Sequence, residues 1–168
     1  FDKFSDYLTN NFLFQIKYPS ECFESISKSI EQLKNNNNND FKIDIEIFIC
    51  EIPNNYNDIL SQMNIKSVII DENVKELNSN TNKGFFEGCS NLLHVSIPSS
   101  IEKIGSKTFE KCSMLNNVSL PLSLKELEPN VFSECSLLSE ISIPSSLEKI
   151  CSCAFYKCTS IKKIIIPL

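Results

Sequence analysis

The chain has 168 residues, about the length of one domain, and its 42% hydrophobic and 22% charged residues are typical of a chain with a packed core. It contains no Arg and has a net charge of −5, so we expect no nucleic-acid partner. The single histidine, His94, excludes sites that need two imidazoles. No apolar run approaches the ~18 residues needed to span a bilayer, so we expect no membrane segment.

Residues 1–53 carry no repeat, and their hydrophobic spacing predicts a mixed α+β segment. The predicted elements are helices over 2–10 and 20–34, strands over 12–17 and 41–49, and an asparagine-rich solvated loop over 35–39. Two interpretations stay open. The segment is either an N-terminal cap that covers the hydrophobic edge of the first repeat, or a small independent interaction domain.

Residues 54–83 predict a degenerate first repeat. One helical turn is predicted over 59–63, and the apolar residues after it recur 27 positions later in the chain. The matching series are Ile65, Val68, Ile70, Val74 and Leu77, then Leu92, Val95, Ile97, Ile101 and Ile104. Because the later repeats are shorter by four residues, a polar insertion is predicted over 78–83, where it suits a loop that bulges from the coil.

Residues 84–168 carry a regular repeat in which Phe, Cys and Pro each recur every 23 positions. The three series are Phe86, Phe109, Phe132 and Phe155; Cys89, Cys112, Cys135 and Cys158; and Pro98, Pro121, Pro144 and Pro167. Between these markers, the order Leu-x-x-Val-x-Ile-Pro predicts a short strand that ends at Pro, because Pro has no N–H to donate to a ladder. The apolar pair that follows, such as Ile101 and Ile104, predicts a turn of helix at most.

One such unit cannot bury its own hydrophobic side, so the units must stack. The sequence therefore predicts a repeat solenoid with one short parallel strand per 23-residue coil and an α+β N-terminal cap. Residues 164–168 close a strand without a polar cap. An open edge of this kind predicts an array of repeats, 84–168, that is truncated at its C-terminus.

The unit at 97–121 resembles the BspA-type leucine-rich repeat, whose consensus has the order IPxxVxxIGxxAFxxCxxLxxIxIP. The chain departs from that consensus where Glu128 and Cys151 replace the glycine present at Gly105. The resemblance covers about residues 84–168. It implies a leucine-rich-repeat solenoid used for binding, including surface adhesion in some members, without enzymatic activity. It also implies a cell-surface location, while a start without a signal-peptide core allows a cytoplasmic one equally.

Eight cysteines raise the question of disulfides and metal sites. Four of them share one repeat phase with the Phe series, and we expect these to be reduced, small, buried residues of the repeat core. They are Cys89, Cys112, Cys135 and Cys158. Cys151 and Cys153 form a local cluster with Cys158, but three thiols without a neighbouring His or a fourth Cys are a poor zinc set. We therefore expect no metal and no cofactor.

The outward positions of the predicted strands form the candidate binding surface, because stacking places equivalent residues in rows. The candidate residues are His94, Ser96, Asn117, Ser119, Glu140, Ser142 and Lys163. Loops that carry Lys103, Lys107 and Lys111 are the alternative contact side. A separate polar column is expected to satisfy backbone amides within the coil. Its members are Asn73, Ser100, Ser123 and Ser146.

No catalytic residue is expected. His94 could serve as a base for Ser96 or Ser119, but a serine on a regular strand has neither a strained elbow nor oxyanion donors.

The sequence and its resemblance thus predict a non-enzymatic binding or adhesion module whose partner is a protein, with a glycan as the other candidate. The alternative is a structural spacer or cytoplasmic scaffold that displays a domain absent from this sequence.

Overall fold

The computed structural model describes residues 14–17, 45–49, 60–61, 64–78 and 82–166. The two predicted N-terminal helices, the asparagine-rich loop and the middle of the predicted insertion lie outside these residues. Of the helical turn predicted before the first repeat, Leu60 and Ser61 are described and are helical.

Eleven strands lie within the described part of the chain. In chain order they are β1 Phe14–Lys17, β2 Ile45–Ile49, β3 Ile65–Ile70, β4 Glu76–Leu77, β5 His94–Ser96, β6 Lys103–Ile104, β7 Asn117–Ser119, β8 Glu126–Leu127, β9 Glu140–Ser142, β10 Lys149–Ile150 and β11 Lys163–Ile165. A large sheet has the order β1-β2-β3-β5-β7-β9-β11, and a second sheet has the order β10-β8-β6-β4. All neighbours are parallel, which confirms the predicted solenoid of short parallel strands.

Strands of the large sheet follow the alternation seen in the sequence. In β7, Val118 is buried and its neighbours Asn117 and Ser119 are exposed. Leu120 continues the alternation inward before Pro121 ends the strand. One face of the sheet therefore covers the core and the other faces solvent.

The second sheet differs from the sequence-based expectation. A turn of helix at most was predicted around Ile101 and Ile104, and this is wrong because Lys103–Ile104 is a strand. The Ile101 N–H donates to the carbonyl of Pro98 at 3.2 Å, so a tight turn precedes the strand. Strand β6 then pairs with β8 of the next coil. Both isoleucines of the pair are fully buried, and their spacing of three fits a turn plus a two-residue strand as well as it fits a helix.

Stacked aromatic rings fill the solenoid. Phe86, Phe109 and Phe132 have no solvent exposure. The ring centroids of Phe86 and Phe109 lie 5.4 Å apart at an interplanar angle of 9°, and those of Phe109 and Phe132 lie 5.4 Å apart at 4°. Phe155 continues the stack at 5.7 Å from Phe132 but is only partly buried, because no described coil covers its outer side. The rings form a continuous column along the solenoid axis.

A third ladder of hydrogen bonds joins successive coils beside this column. The Lys107, Phe109 and Lys111 N–H groups donate to the carbonyls of Pro129, Val131 and Ser133 in the next coil, at 2.8 to 3.0 Å. Left-handed φ angles of 59° at Lys107 and 63° at Lys111 turn these N–H groups along the axis. Backbone hydrogen bonds therefore link the turns of neighbouring coils as well as their strands.

The repeat begins at an offset of 27 residues, since Ser67 pairs with His94 and Glu76 with Lys103. Where the longer first coil rejoins the regular repeat, a Cβ on Gly84 would lie 1.8 Å from the carbonyl oxygen of Lys107. Only a residue without a side chain allows this close approach.

Candidate binding face

The candidate residues lie together on the solvent side of the large sheet, in two rows that run from strand to strand. The outer row is Ser67, His94, Asn117, Glu140 and Lys163, and the serine row is Ser96, Ser119 and Ser142, with Ile69 and Ile165 at its two ends. All seven residues proposed from the sequence are exposed. Backbone pairing thus brings together side chains that are 23 residues apart in the chain.

Part of this face is a shallow depression of about 290 Å³. It is lined by Asn117, Ser119, Glu140, Ser142, Lys163 and Ile165, with Val118 and Ile141 beneath them. His94 and Ser96 lie on the same face but outside the depression. Ile165 is not among the seven candidate residues, but its spacing of 23 from Ser142 already places it in the same outward row of the sequence. Low serine side chains beside longer polar ones produce the depression.

The charges on this face are unpaired within the described part of the chain. Glu140 and Lys163 are direct neighbours in the register of β9 and β11. Both are exposed, and no ion pair within 4.0 Å joins them. An acid and a base are therefore available to a partner on adjacent strands.

The second sheet shows the opposite arrangement. Its exposed positions alternate in sign from coil to coil, both in the row Lys75, Glu102, Lys125 and Glu148 and in the row Glu76, Lys103, Glu126 and Lys149. Ion pairs join Lys149 to Glu126 at 2.7 Å and Lys125 to Glu148 at 3.6 Å. The hydrogen bond from Lys149 holds the pKa of the Glu126 carboxyl below its usual value. Ion pairs within these rows thus neutralise four of the eight charges, while Lys75, Glu76 and Glu102 have no ion pair among the described residues.

Lys103, expected on a loop, lies instead in strand β6. Its ammonium lies 2.6 Å from Glu128, and the hydrogen bond that Lys103 donates to that carboxylate raises the pKa of Lys103. Lys107 and Lys111 lie in the turns, as expected for loop residues. The three lysines therefore do not form one uniform contact surface.

The repeat cysteines serve the packing of the coils. Cys112 and Cys135 are fully buried, and their thiols donate to the carbonyls of Phe86 and Phe109 in the preceding coil, at 3.2 and 3.1 Å. Burial raises the pKa of the Cys89 thiol to about 12 and that of Cys158, in the half-buried last coil, to about 11. Protonated thiols at these positions are weak nucleophiles.

Among the described residues, no three or more His, Cys, Asp or Glu side chains are placed so that together they could hold a metal ion, and this includes the cysteine cluster. Cys151 donates its thiol proton to Oε1 of Glu126 at 3.1 Å, which raises the pKa of Cys151, and Cys153 is exposed. His94 lies on a regular strand, without a described hydrogen bond to either neighbouring serine.

The polar column beside the second sheet has a different role from the one expected. Three serine hydroxyls of this column donate to backbone carbonyls of the preceding coil. Ser100 donates to the carbonyl of Val74 at 2.7 Å, Ser123 to that of Ile101, and Ser146 to that of Leu124 at 2.8 Å. The expectation that they satisfy backbone amides is therefore wrong. A hydroxyl can donate as well as accept, and here the carbonyls are the groups within reach.

Coils that pair in parallel and share a column of buried Phe and Leu define a leucine-rich-repeat solenoid. Residues 56–168 match the BspA type leucine rich repeat region in six copies. The chain belongs to this family. Leucine-rich-repeat proteins are generally protein-interaction or surface proteins and repeat modules without enzymatic activity.

Solved structures of bacterial leucine-rich-repeat proteins are similar to this chain. The protein from Bacteroides ovatus is 30% identical with a TM-score of 0.58, over 71% of this chain and 30% of its own. The T. pallidum leucine rich repeat protein is 22% identical with a TM-score of 0.59, over 94% of this chain and 60% of its own. A leucine rich cell surface protein from Faecalibacterium prausnitzii is 22% identical with a TM-score of 0.50, over 77% of this chain and 40% of its own. The chain thus spans less than two thirds of each of these proteins.

A search of curated proteins found no relative of this chain. Among the described residues, no helix is both long and apolar enough to cross a bilayer.

Proposed function

We propose that the chain is a non-enzymatic protein-binding module and that it binds through the solvent face of the large sheet. The observation that carries this proposal is the contrast between its two sheets. Ion pairs to neighbouring coils neutralise five charges at the second sheet, whereas Glu140 and Lys163 of the large sheet are neighbours in register and have no such partner. The five are Lys103, Lys125, Glu126, Glu148 and Lys149. A partner gains more binding free energy from a charge that has no ion pair in the free protein, because no existing pair has to be broken.

A protein partner fits this face better than a glycan. Small hydroxyls and mixed charges line the depression, and none of the outward positions in the five repeat strands β3, β5, β7, β9 and β11 carries a Phe, Tyr or Trp ring. Mixed polar surfaces of this kind suit a protein that brings its own apolar anchors. Surface adhesion, which is known for some BspA-type proteins, is one use of such a contact.

The second candidate function is a spacer or scaffold that displays another domain. The stacked rings and the three ladders between coils support it, because each coil is fixed rigidly to the next. We also propose that residues 1–53 act as the N-terminal cap of the array, since β1 and β2 extend the large sheet beyond β3 in parallel.

The proposal is tested with proteins captured from an extract of the source cells. Each captured protein is purified, and its Kd is measured by calorimetry against the wild type and two variants of the face, Ser119→Tyr and Glu140→Lys. We expect each variant to weaken binding at least ~10-fold, equivalent to about 1.4 kcal/mol. Unfolding free energies should stay within about 0.5 kcal/mol of the wild type, as for most surface substitutions.

Two matched controls carry the same chemical changes elsewhere. Ser152→Tyr alters an exposed serine in a turn, and Glu102→Lys reverses an exposed charge beside the second sheet. Both should leave the Kd unchanged. If instead the affinity ignores the variants of the large sheet and falls on substitution of Lys103, Lys107 or Lys111, the large sheet is the wrong surface. A partner that ignores all of these changes favours the spacer.

A further inference from the structure

The serine row is a trough of limited length. Ser96, Ser119 and Ser142 form its floor, and Ile69 and Ile165 occupy the same row at its two ends. Neighbouring strands lie about 4.8 Å apart, so the two isoleucines are separated by about 19 Å. An extended chain rises about 3.3 Å per residue, so the trough has room for about five residues in extended conformation.

The floor suits a peptide backbone. Each serine hydroxyl both donates and accepts a hydrogen bond, so it can pair with either the N–H or the C=O of an extended segment. Because the serine hydroxyls pair with the backbone, they do not select particular side chains in that segment. Sequence preference must therefore come from the row beside it.

The row beside the trough carries the two unpaired charges on adjacent strands. Glu140 lies on β9 and Lys163 on β11, in register and thus about 4.8 Å apart along the trough. Alternate side chains of an extended segment point the same way and are about 6.7 Å apart. Flexible side chains bridge the small difference, so a basic residue can meet Glu140 while an acidic residue two positions away meets Lys163.

We propose that this trough binds an extended segment of a partner protein that carries a basic and an acidic residue two positions apart. The inference rests on the proposed function of the large-sheet face and adds the chemistry of the partner. Because Glu140 and Lys163 carry opposite charges on adjacent strands, the segment must present one charge of each sign to this row. A segment with two charges of the same sign would place like charges together at one of the two positions.

The test uses random dodecapeptides displayed on phage and selected on the wild-type chain, with counter-selection on Ser119→Tyr, which fills the trough. We expect enrichment of one basic and one acidic residue two positions apart. A synthetic peptide of the enriched sequence should bind Ser119→Tyr and Glu140→Lys at least ~10-fold more weakly than the wild type. Binding should also weaken as salt is raised, because the exposed charges are screened.

The decisive variant is Lys163→Glu, which places two acidic side chains, Glu140 and the new Glu, next to each other in this row. It should enrich two basic residues two positions apart, and a synthetic peptide with that pair should bind it at least ~10-fold more tightly than the original peptide does. The matched control, Lys125→Glu, makes the same change of charge at an exposed position beside the second sheet. That control should enrich the same pair of opposite charges as the wild type.

Selection that enriches no pair of opposite charges, or a pair of opposite charges that persists in Lys163→Glu, overturns the inference. The proposed function fails separately, when a purified partner protein binds the wild type and Ser119→Tyr equally. If a folded partner depends on Ser119 while no peptide is enriched, the face binds a protein but not an extended segment.

Discussion

Replacement of Phe109 by Ala is the most direct perturbation of the solenoid. Its ring has no solvent exposure and lies between two parallel rings, each with its centroid 5.4 Å away. Loss of a fully buried Phe side chain costs about 3–5 kcal/mol, because the transfer free energy is lost and a cavity remains. Both ring pairs are lost as well, and each contributes about 0.5–1.5 kcal/mol beyond its area. We therefore expect Phe109→Ala at the upper end of the range.

Phe155→Ala is the matched comparison within the same column. Phe155 is only partly buried, and among the described rings it stacks on Phe132 alone. Its loss should cost about 1–2 kcal/mol less than the loss of Phe109, because less apolar area and one ring pair fewer are removed. Lys107→Ala, in a turn of the same coil as Phe109, should cost less than about 0.5 kcal/mol.

The measurement is urea unfolding followed by circular dichroism at fixed temperature. An unchanged slope of free energy against denaturant shows that the variants unfold with the same exposure of surface. Because a solenoid can lose terminal coils separately, Phe109→Leu is added as a milder variant, with an expected cost of about 1–2 kcal/mol. Equal losses for Phe109→Ala and Phe155→Ala, or a loss at Phe109 as small as that at Lys107, would refute the continuous column.

Three further predictions concern the buried cysteines and Gly84. The thiols of Cys89 and Cys112 should react slowly with iodoacetamide in the native protein and rapidly in denaturant, and a disulfide at either residue in non-reducing mass spectrometry would contradict this. Burial raises the pKa of Cys89 to about 12, whereas the thiol of an unfolded chain has a pKa of about 8.5. The free energy of unfolding should therefore fall as the pH rises from about 9 to about 12, because only the unfolded state loses the thiol proton in that range. A free energy of unfolding that does not change with pH in calorimetry would contradict this. Gly84→Ala should cost more than about 3 kcal/mol in urea unfolding, because the new Cβ would lie 1.8 Å from a backbone oxygen. Gly88→Ala should cost about 1 kcal/mol, because φ at Gly88 is +79° but a new Cβ there would meet its nearest atom at 3.4 Å, an ordinary contact distance. An equal cost at both glycines would count against the close approach at Gly84.

The repeat could be predicted because its signal is local and periodic. Recurrence of Phe, Cys and Pro at one spacing identifies the length of a coil, and the alternation around Val118 identifies the strand and its buried side. Stacking then places equivalent positions in rows, so the candidate residues could be assigned to one exposed face without coordinates. A resemblance carried by the same residues predicted the family.

Other features depend on contacts between coils and leave no local signal. A two-residue strand such as β6 has no periodicity of its own and exists because β4 and β8 lie beside it. Strands over 12–17 and 41–49 were expected, but their membership of the large sheet follows only from their pairing with each other and with β3. Hydrogen bonds from the serine column to carbonyls also depend on which backbone groups the preceding coil presents.

The same distinction applies to the binding face. Sequence spacing places Glu140 beside Lys163, and Glu126 beside Lys149, in the same way, because each pair is separated by 23 residues. Only the tertiary structure shows that the second pair is joined at 2.7 Å while the first is not. Period and alternation are properties of the chain, so the sequence by itself determined the coil and its exposed rows. Ion pairing depends on side-chain conformation and on the neighbouring coil, so the structure decided that Glu126 and Lys149 are joined while Glu140 and Lys163 are left for a partner.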